Sequence, residues 1–313
     1  MAHAIVHTEF GGPEVLHLAE IPNPAPGAGE LAIRVEAAGV NPIDWKLRAG
    51  LRASAPLDGP RRVGSDGAGT VTAVGDGVDG FSVGDPVVFF NAAGAYATDL
   101  VVSADVVHPR PPGVSAAEGA ALGIPVGTAY QAARSLDVRA GDTLLVHGGS
   151  GSVGQALIQY AVLWGATVIA TTSDRRADRV RALGGIPVAY GDGLADRVRT
   201  AAPQGVTVAI DAVGTDEALA TSIELVADRS RIATLVQGAK AASLGIRGFS
   251  GGSPRPLTAQ QQSWRDDAIP VTLALLAAGR FSVELGPSLP LAEAAEAHRR
   301  VHAGVDGKVT LVP

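Results

Sequence analysis

From residue 143 onward the chain alternates short apolar runs with stretches of helical spacing. The runs are TLLVH (143–147), TVIAT (167–171), PVAY (187–190), TVAIDA (207–212) and RIATLV (231–236). Helical periodicity separates them at about 152–164, 175–183, 194–202 and 215–226. Strands and helices alternating at this interval predict a parallel sheet with helices on both faces. A further helical stretch, 116–135, precedes them. The first 110 residues read differently, as short strands parted by Gly and Pro clusters, among them LAIRVEAAGV (31–40), GTVTAVG (69–75) and DPVVFF (85–90). PRPPG (109–113) marks a boundary. Residues 237–263 are weakly patterned and are expected to form a long loop that orders with a ligand. A helix (267–278), a strand near 282–286, a helix (291–302) and the strand KVTLV (308–312) close the chain. This tail fits either an extension of the parallel sheet or a return to the N-terminal region.

The first of the apolar runs ends in Gly149-Ser150-Gly151-Ser152-Val153-Gly154, a G-x-G-x-x-G turn. In a Gly-rich chain such a match is weak by itself. Here it follows a strand and opens a helix with Val153, Leu157, Ala161 and Trp164 on one face. The first glycine makes the turn and the second lets a pyrophosphate approach the backbone. The third admits close helix–strand packing, and free N–H groups at the helix start face the phosphate charge. A nicotinamide dinucleotide is the expected ligand. After the second strand comes Thr171-Thr172-Ser173-Asp174-Arg175-Arg176. Asp174 stands at about the distance of an NAD-type carboxylate. Ser173, Arg175 and Arg176 suit a 2′-phosphate, since guanidinium groups offer planar donor forks. The expectation is NADPH.

Composition narrows the chemistry. With 40 glycines, 18% charged residues and no cysteine in 313 residues, disulfides, thiolate catalysis and Cys-ligated zinc are excluded. The seven histidines lack H-E-x-x-H spacing, so no catalytic metal is expected. A net charge of −6 argues against nucleic acid as a main partner. The start MAHAIVHTEFGGPE is unlike a signal peptide, and no apolar window reaches about 18 residues. The expectation is a cytoplasmic protein without a membrane partner.

Several segments together resemble the zinc-independent quinone oxidoreductases (zeta-crystallin-like) of the medium-chain dehydrogenase/reductase superfamily. They are FGGPEVL (10–16), AAGVNPIDWKLRAG (37–50), GSDGAGTVTAVGDGV (64–78), GDPVVFF (84–90), IPVGTAYQA (124–132), VHGGSGSVG (146–154), AIDAVG (209–214) and GKVTLV (307–312). The resemblance implies an α/β architecture with a GroES-like β-barrel catalytic domain formed by 1–115 and 264–313. A Rossmann domain, the doubly wound parallel sheet of 116–263, is inserted in it. Zinc-dependent relatives place a Cys ligand where this chain has Asn41, and His-Glu where it has Ser65-Asp66.

The resemblance also implies roles. Without a metal the expected reaction is hydride transfer from NADP(H) to an already electrophilic acceptor, a quinone or similar conjugated carbonyl. Asn41 and Lys46 are expected to stabilise the acceptor oxygen. Asp44 is expected as a proton relay or a capping carboxylate, and Trp45 as a stacking surface or barrel-edge filler. Thr128 is expected beside the nicotinamide, with Tyr130 as an alternative proton donor or core residue. Tyr190, Val213, Gly214 and Val236 are expected to border the cofactor. The partners are a small quinone or enone and a second copy of the chain, with RIATLV near the sheet edge of a homodimer. Two rival readings stay open: an NADPH-dependent reductase of activated C=C bonds, and a non-catalytic NADPH-binding redox sensor.

Overall fold

Branched apolar residues pull the N-terminal segment into antiparallel strands. The computed structural model describes residues 1–23, 25–52, 55–249 and 255–313. β1 (Ala2–His7) pairs with β2 (His17–Ile21) and with β4 (Arg61–Arg62). The longest strand, β3 (Glu30–Gly39), is followed by the short helix α1 (Pro42–Arg48). β3 pairs antiparallel with β5 (Asp66–Val74), which continues to β6 (Pro86–Phe89) and β8 (Val107–Pro109). On its other side β3 takes β7 (Asp99–Ser103).

Ser115 and Glu118 close a capping box on α2 (Ala116–Ala120). The helix predicted over 116–135 breaks after it and restarts as α3 (Gly123–Ser135). Asp66 Oδ2 accepts the Ile124 amide at 2.8 Å at this restart, so the new helix is capped by a distant carboxylate. Such a partner leaves no mark in local periodicity.

The next strands are β9 (Thr143–His147), β10 (Thr167–Thr172), β11 (Ile186–Ala189), β12 (Val208–Asp211), β13 (Ile232–Thr234) and β14 (Arg247–Gly248). All pair in parallel, in the order β11-β10-β9-β12-β13-β14. Relative to the first strand of the series this is 3-2-1-4-5-6, the doubly wound order. β9, β12 and β13 are buried at every position, as strands covered on both faces must be. The helices are α4 (Ser152–Leu163), α5 (Ala177–Ala182), α6 (Leu194–Ala201), α7 (Asp216–Leu225) and α8 (Gly238–Ala241).

Three expectations change here. β13 ends at Thr234, and Val236 lies two residues beyond it, because Thr234 Oγ1 accepts the amides of Val236 and Gln237 and turns the chain. β13 is an inner strand, with β14 outside it at the edge. The segment 237–263 is not a plain loop: it carries α8, β14 and buried Ile246 and Phe249. Elements of two to four residues are too short to show a period. The middle of the expected ligand-ordered loop, 250–254, lies outside the described residues.

The tail runs through α9 (Ala259–Ala277), β15 (Leu285–Pro290), α10 (Ala294–Ala303) and β16 (Lys308–Val312). Helix and strand begin respectively earlier and later than the predicted 267 and 282. β16 pairs with β3, Thr310 opposite Gly39 and Leu311 opposite Ala38, so the tail returns to the N-terminal sheet. The chain accordingly divides into two compact units, Met1–Ile124 with Ile269–Pro313, and Pro125–Ala268. The first has Ile33, Phe89, Tyr96, Leu100, Leu289 and Leu311 in its core. The second is built on Leu145, Ile169, Val198, Leu219 and Ile232. Among the described residues no helix is long and apolar enough to cross a membrane.

Candidate functional site

In the second unit the glycine turn joins β9 to α4. Gly148 adopts φ +83°, where a side chain would also lie 2.7 Å from Val213 Cγ1. A Cβ on Gly149 would stand 2.6 Å from Ala170 Cβ, and one on Gly154 only 2.1 Å from the Gly148 carbonyl. Packing alone therefore requires glycine at both ends. Gly151 is different. Its Cβ would meet Gly148 O at an ordinary 3.6 Å, and its φ is −77°. The fold does not demand glycine there, so the missing side chain leaves room for something outside the chain. That is the space a pyrophosphate needs at a helix start. Ser152 is exposed and Val153 half-buried on the first turn of α4.

The second strand delivers its end to this turn. The Gly149 amide donates to Thr171 O at 2.9 Å, and the Gly148 amide to Thr171 Oγ1 at 3.1 Å. Arg176 Nη2 lies 3.5 Å from the Ser150 carbonyl, so its guanidinium sits over the glycine turn. Ser173 is half-buried, whereas Asp174 and Arg175 are exposed. Thr172 Oγ1 is buried without a hydrogen-bond partner among the described residues. Tyr190 follows β11 and is exposed, as is Val213 after β12.

Asp211 organises the neighbouring loops. Its Oδ1 accepts the Val213 and Gly214 amides at 3.0 and 2.8 Å, and its Oδ2 accepts the Thr234 hydroxyl at 2.7 Å. Gln237 Nε2 then donates to Gly214 O at 2.9 Å. Burial pushes the neighbouring His147 down to about 4, with Asp211 opposing, so its imidazole is neutral. The Asp211–Thr234 bond joins two strands and His147 Nε2 lies 3.1 Å from Ser222 Oγ on α7, contacts that local sequence does not mark. Thr128 is buried on α3, and Tyr130 packs its ring edge-on against Tyr160 and Trp164 at 5.2 and 5.4 Å. That is the core role for Tyr130.

The first unit holds an enclosed polar cluster. Asn41, Asp44, Asp66, Tyr96, His298 and Lys308 are each at most 4% exposed. The Lys308 ammonium donates to Asn41 Oδ1, and Asn41 Nδ2 donates to Asp66 Oδ2 at 2.8 Å. Asp44 Oδ2 accepts the Asn41 amide and the Tyr96 hydroxyl, both at 2.8 Å. His298 Nε2 lies 3.4 Å from Tyr96 OH. A Cβ on Gly123 would stand 2.1 Å from the Asp66 carboxyl, so glycine is what admits that carboxylate to α3.

Electrostatics follows from enclosure. Burial pushes Asp44 up to about 7 against the pull of its Asn41 and Tyr96 hydrogen bonds. Burial draws Lys308 below the usual lysine value, while Asp66 and Asp44 oppose the shift. Of the positions matching zinc ligands, Asn41 bonds the lysine ammonium and Asp66 bonds Asn41, while Ser65 Oγ donates to Asp66 Oδ1 at 3.1 Å. Among the described residues no group of three His, Cys, Asp or Glu is placed to hold a metal.

The expected trio separates. Asn41 and Asp44 meet, whereas Lys46 stands 5.6 Å above the Trp45 ring, whose other neighbour is His302. Asn41 has its carboxamide oxygen and nitrogen both engaged inside the cluster. The sequence marks Asp66 only as a position of the zinc ligands and carries no local signal for Tyr96 or His298. Only the GKVTLV match pointed toward Lys308, and buried position cannot be read from it.

Comparison with known proteins gives a consistent picture. Residues 27–112 match the alcohol dehydrogenase GroES-like domain, and residues 152–253 the zinc-binding dehydrogenase family. The latter stretch contains neither Cys nor His in this chain. The quinone oxidoreductase of Rattus norvegicus is 32% identical over 100% of this chain and 98% of its own length. That of Pseudomonas aeruginosa is 30% identical over 100% of both. A mycobacterial protein solved in complex with NADPH is 33% identical over 100% of both chains, with a TM-score of 0.83.

Stability should carry the signature of Asp44. Its folded pKa of about 7 exceeds the unfolded value near 3.9, so the folded state holds the extra proton between them. Its contribution is present in full below about pH 4 and is lost as pH rises toward 7. Urea unfolding across this range should therefore show Asp44→Asn gaining stability relative to the parent as pH rises. A difference independent of pH would mean that the carboxyl titrates normally.

Proposed function

Because the chain belongs to the zinc-independent quinone oxidoreductases of the medium-chain dehydrogenase/reductase superfamily, we propose that it reduces a quinone-type acceptor with NADPH. The observation that carries the cofactor half is the Gly151 gap, a vacancy in side-chain volume that packing does not require. When bound, NADPH supplies the hydride and its electron pair. The chain's own residues bind and orient. Amides at the start of α4 face the pyrophosphate, and Arg175, Arg176 and Ser173 bind the 2′-phosphate. Thr128, Tyr190, Val213 and Val236 border the nucleotide.

In the first unit we assign Asn41 as a positioning residue that holds Asp66 and Lys308 in place. Asp44 lines the adjoining cavity and, with a pKa of about 7, is a carboxyl able to hold a proton there at neutral pH. Lys46 is outside that lining, so its expected contact with the acceptor oxygen receives no geometric support. The same reading includes a cytoplasmic homodimer joined through β14, the terminal strand of the parallel sheet.

Oxidation of NADPH with 1,4-naphthoquinone, 9,10-phenanthrenequinone and a 2-alkenal should favour the quinones. Faster turnover of the alkenal would replace this reading by C=C reduction, and tight NADPH binding without any turnover by a sensor. Gly151→Ala should leave stability within about 0.5 kcal/mol while weakening NADPH in a fluorescence titration. Arg175→Ala and Arg176→Ala should raise KM for NADPH by about tenfold or more, with NADH little affected. Equal losses for both nucleotides would place the 2′-phosphate elsewhere. Light scattering should report twice the chain mass, and disruption by a charged residue at Gly248 would support the β14 edge.

A further inference from the structure

A cavity of about 490 Å³ opens in the first unit between α1, the β4–β5 connection and residues 92–94. Its volume is that of an ordinary small-molecule site. Ile43, Leu47, Val63 and Ile124 give it apolar walls. Its charged lining is unusual: Arg48, Arg61 and Arg62 face it, with Asp44 as the lining carboxyl.

Arg48 is the telling residue. It is only 5% exposed, yet its Nε and Nη1 are buried without a hydrogen-bond partner among the described residues. Arg62 Nη2 donates to Gly94 O at 3.1 Å, while its Nε has no described partner. Arg61 is braced on the carbonyls of Ala55 and Pro56. Burial presses the Arg48 and Arg62 guanidiniums below their usual values. A guanidinium stays charged in a protein, and leaving its donors dry and unpaired is costly. An oxyanion in the cavity offsets that cost through its charge, and the planar fork of a guanidinium lining the cavity matches a carboxylate. Asp44 opposes an anion weakly, since burial leaves it about half protonated at neutral pH. Glu14 acts on Arg48 through space without a hydrogen bond to it.

We infer that this cavity binds a flat, largely apolar molecule carrying a carboxylate, which pairs with Arg48 and Arg62. Under the reading above the molecule is the acceptor, so the preferred quinone is an acidic one. The binding claim itself does not depend on turnover.

Calorimetric titration of the full chain with 2-naphthoate and with its methyl ester tests the claim. The acid should bind at least tenfold more tightly than the ester. Arg48→Gln and Arg62→Gln should each erase most of that preference, and Arg48→Lys should retain part of it. If Arg48→Gln proves unfolded by circular dichroism, Arg62→Gln carries the comparison. Equal affinity of acid and ester, or a preference that survives both folded glutamine variants, would overturn the inference. A chain that discriminates acid from ester but reduces no quinone would leave the inference standing and sink the quinone reading. Quinone turnover without discrimination would do the reverse.

Discussion

An ammonium group removed from water must be surrounded by acceptors, and Lys308 meets that requirement in the first unit. Asn41 Oδ1 accepts its hydrogen bond, and the Asp66 and Asp44 carboxyls supply the opposing field. An isolated buried charge costs several kcal/mol, so this arrangement is all or nothing. Asn41 and Lys308 are 267 residues apart in sequence. Their meeting pins β16 beside β3 and sets which residues of the tail can face the core. It also fixes the start of α3, because the carboxylate that receives Asn41 Nδ2 also receives the Ile124 amide.

The same cluster explains how a scaffold related to zinc enzymes keeps its shape with different residues. A metal ion would gather its ligands by coordination. Here a lysine does the gathering by a charge-assisted hydrogen bond to Asn41 and the field of two carboxyls, and Asn41 passes the constraint on to Asp66. The consequence reaches the cavity lining. Asp44, drawn into the enclosure by the Asn41 amide and Tyr96, lies against the cavity with its charge partly suppressed, and the arginines opposite it set the sign of the field.

In the second unit the constraint is steric. Gly149 and Gly154 allow β9, β10 and α4 to approach at distances that any side chain would forbid. Asp211 performs the complementary task on the other half of the sheet. It ties the Val213–Gly214 turn to Thr234, so the loops after β12 and β13 are held as one piece. Ligands of doubly wound sheets bind beyond the strands' carboxyl ends, and these bonds tie two of the loops there together.

The alternation of strand and helix over 143–236 and the glycine turn were legible in the sequence, because period and turn chemistry are local properties. So was the absence of thiol ligands. The split of 116–135 into two helices, the end of β13 at Thr234 and the place of β14 were not, because each is decided by a hydrogen bond or pairing from another segment. The sequence motifs singled out Asn41 and Asp44, yet only the folded chain set Lys46 apart from them and brought Asp66, Tyr96, His298 and Lys308 in. Residue type states which charges a chain carries. Whether water, a carboxylate or nothing surrounds each one is a property of tertiary packing, and that difference makes Lys308 an internal cation while Arg48 faces a cavity.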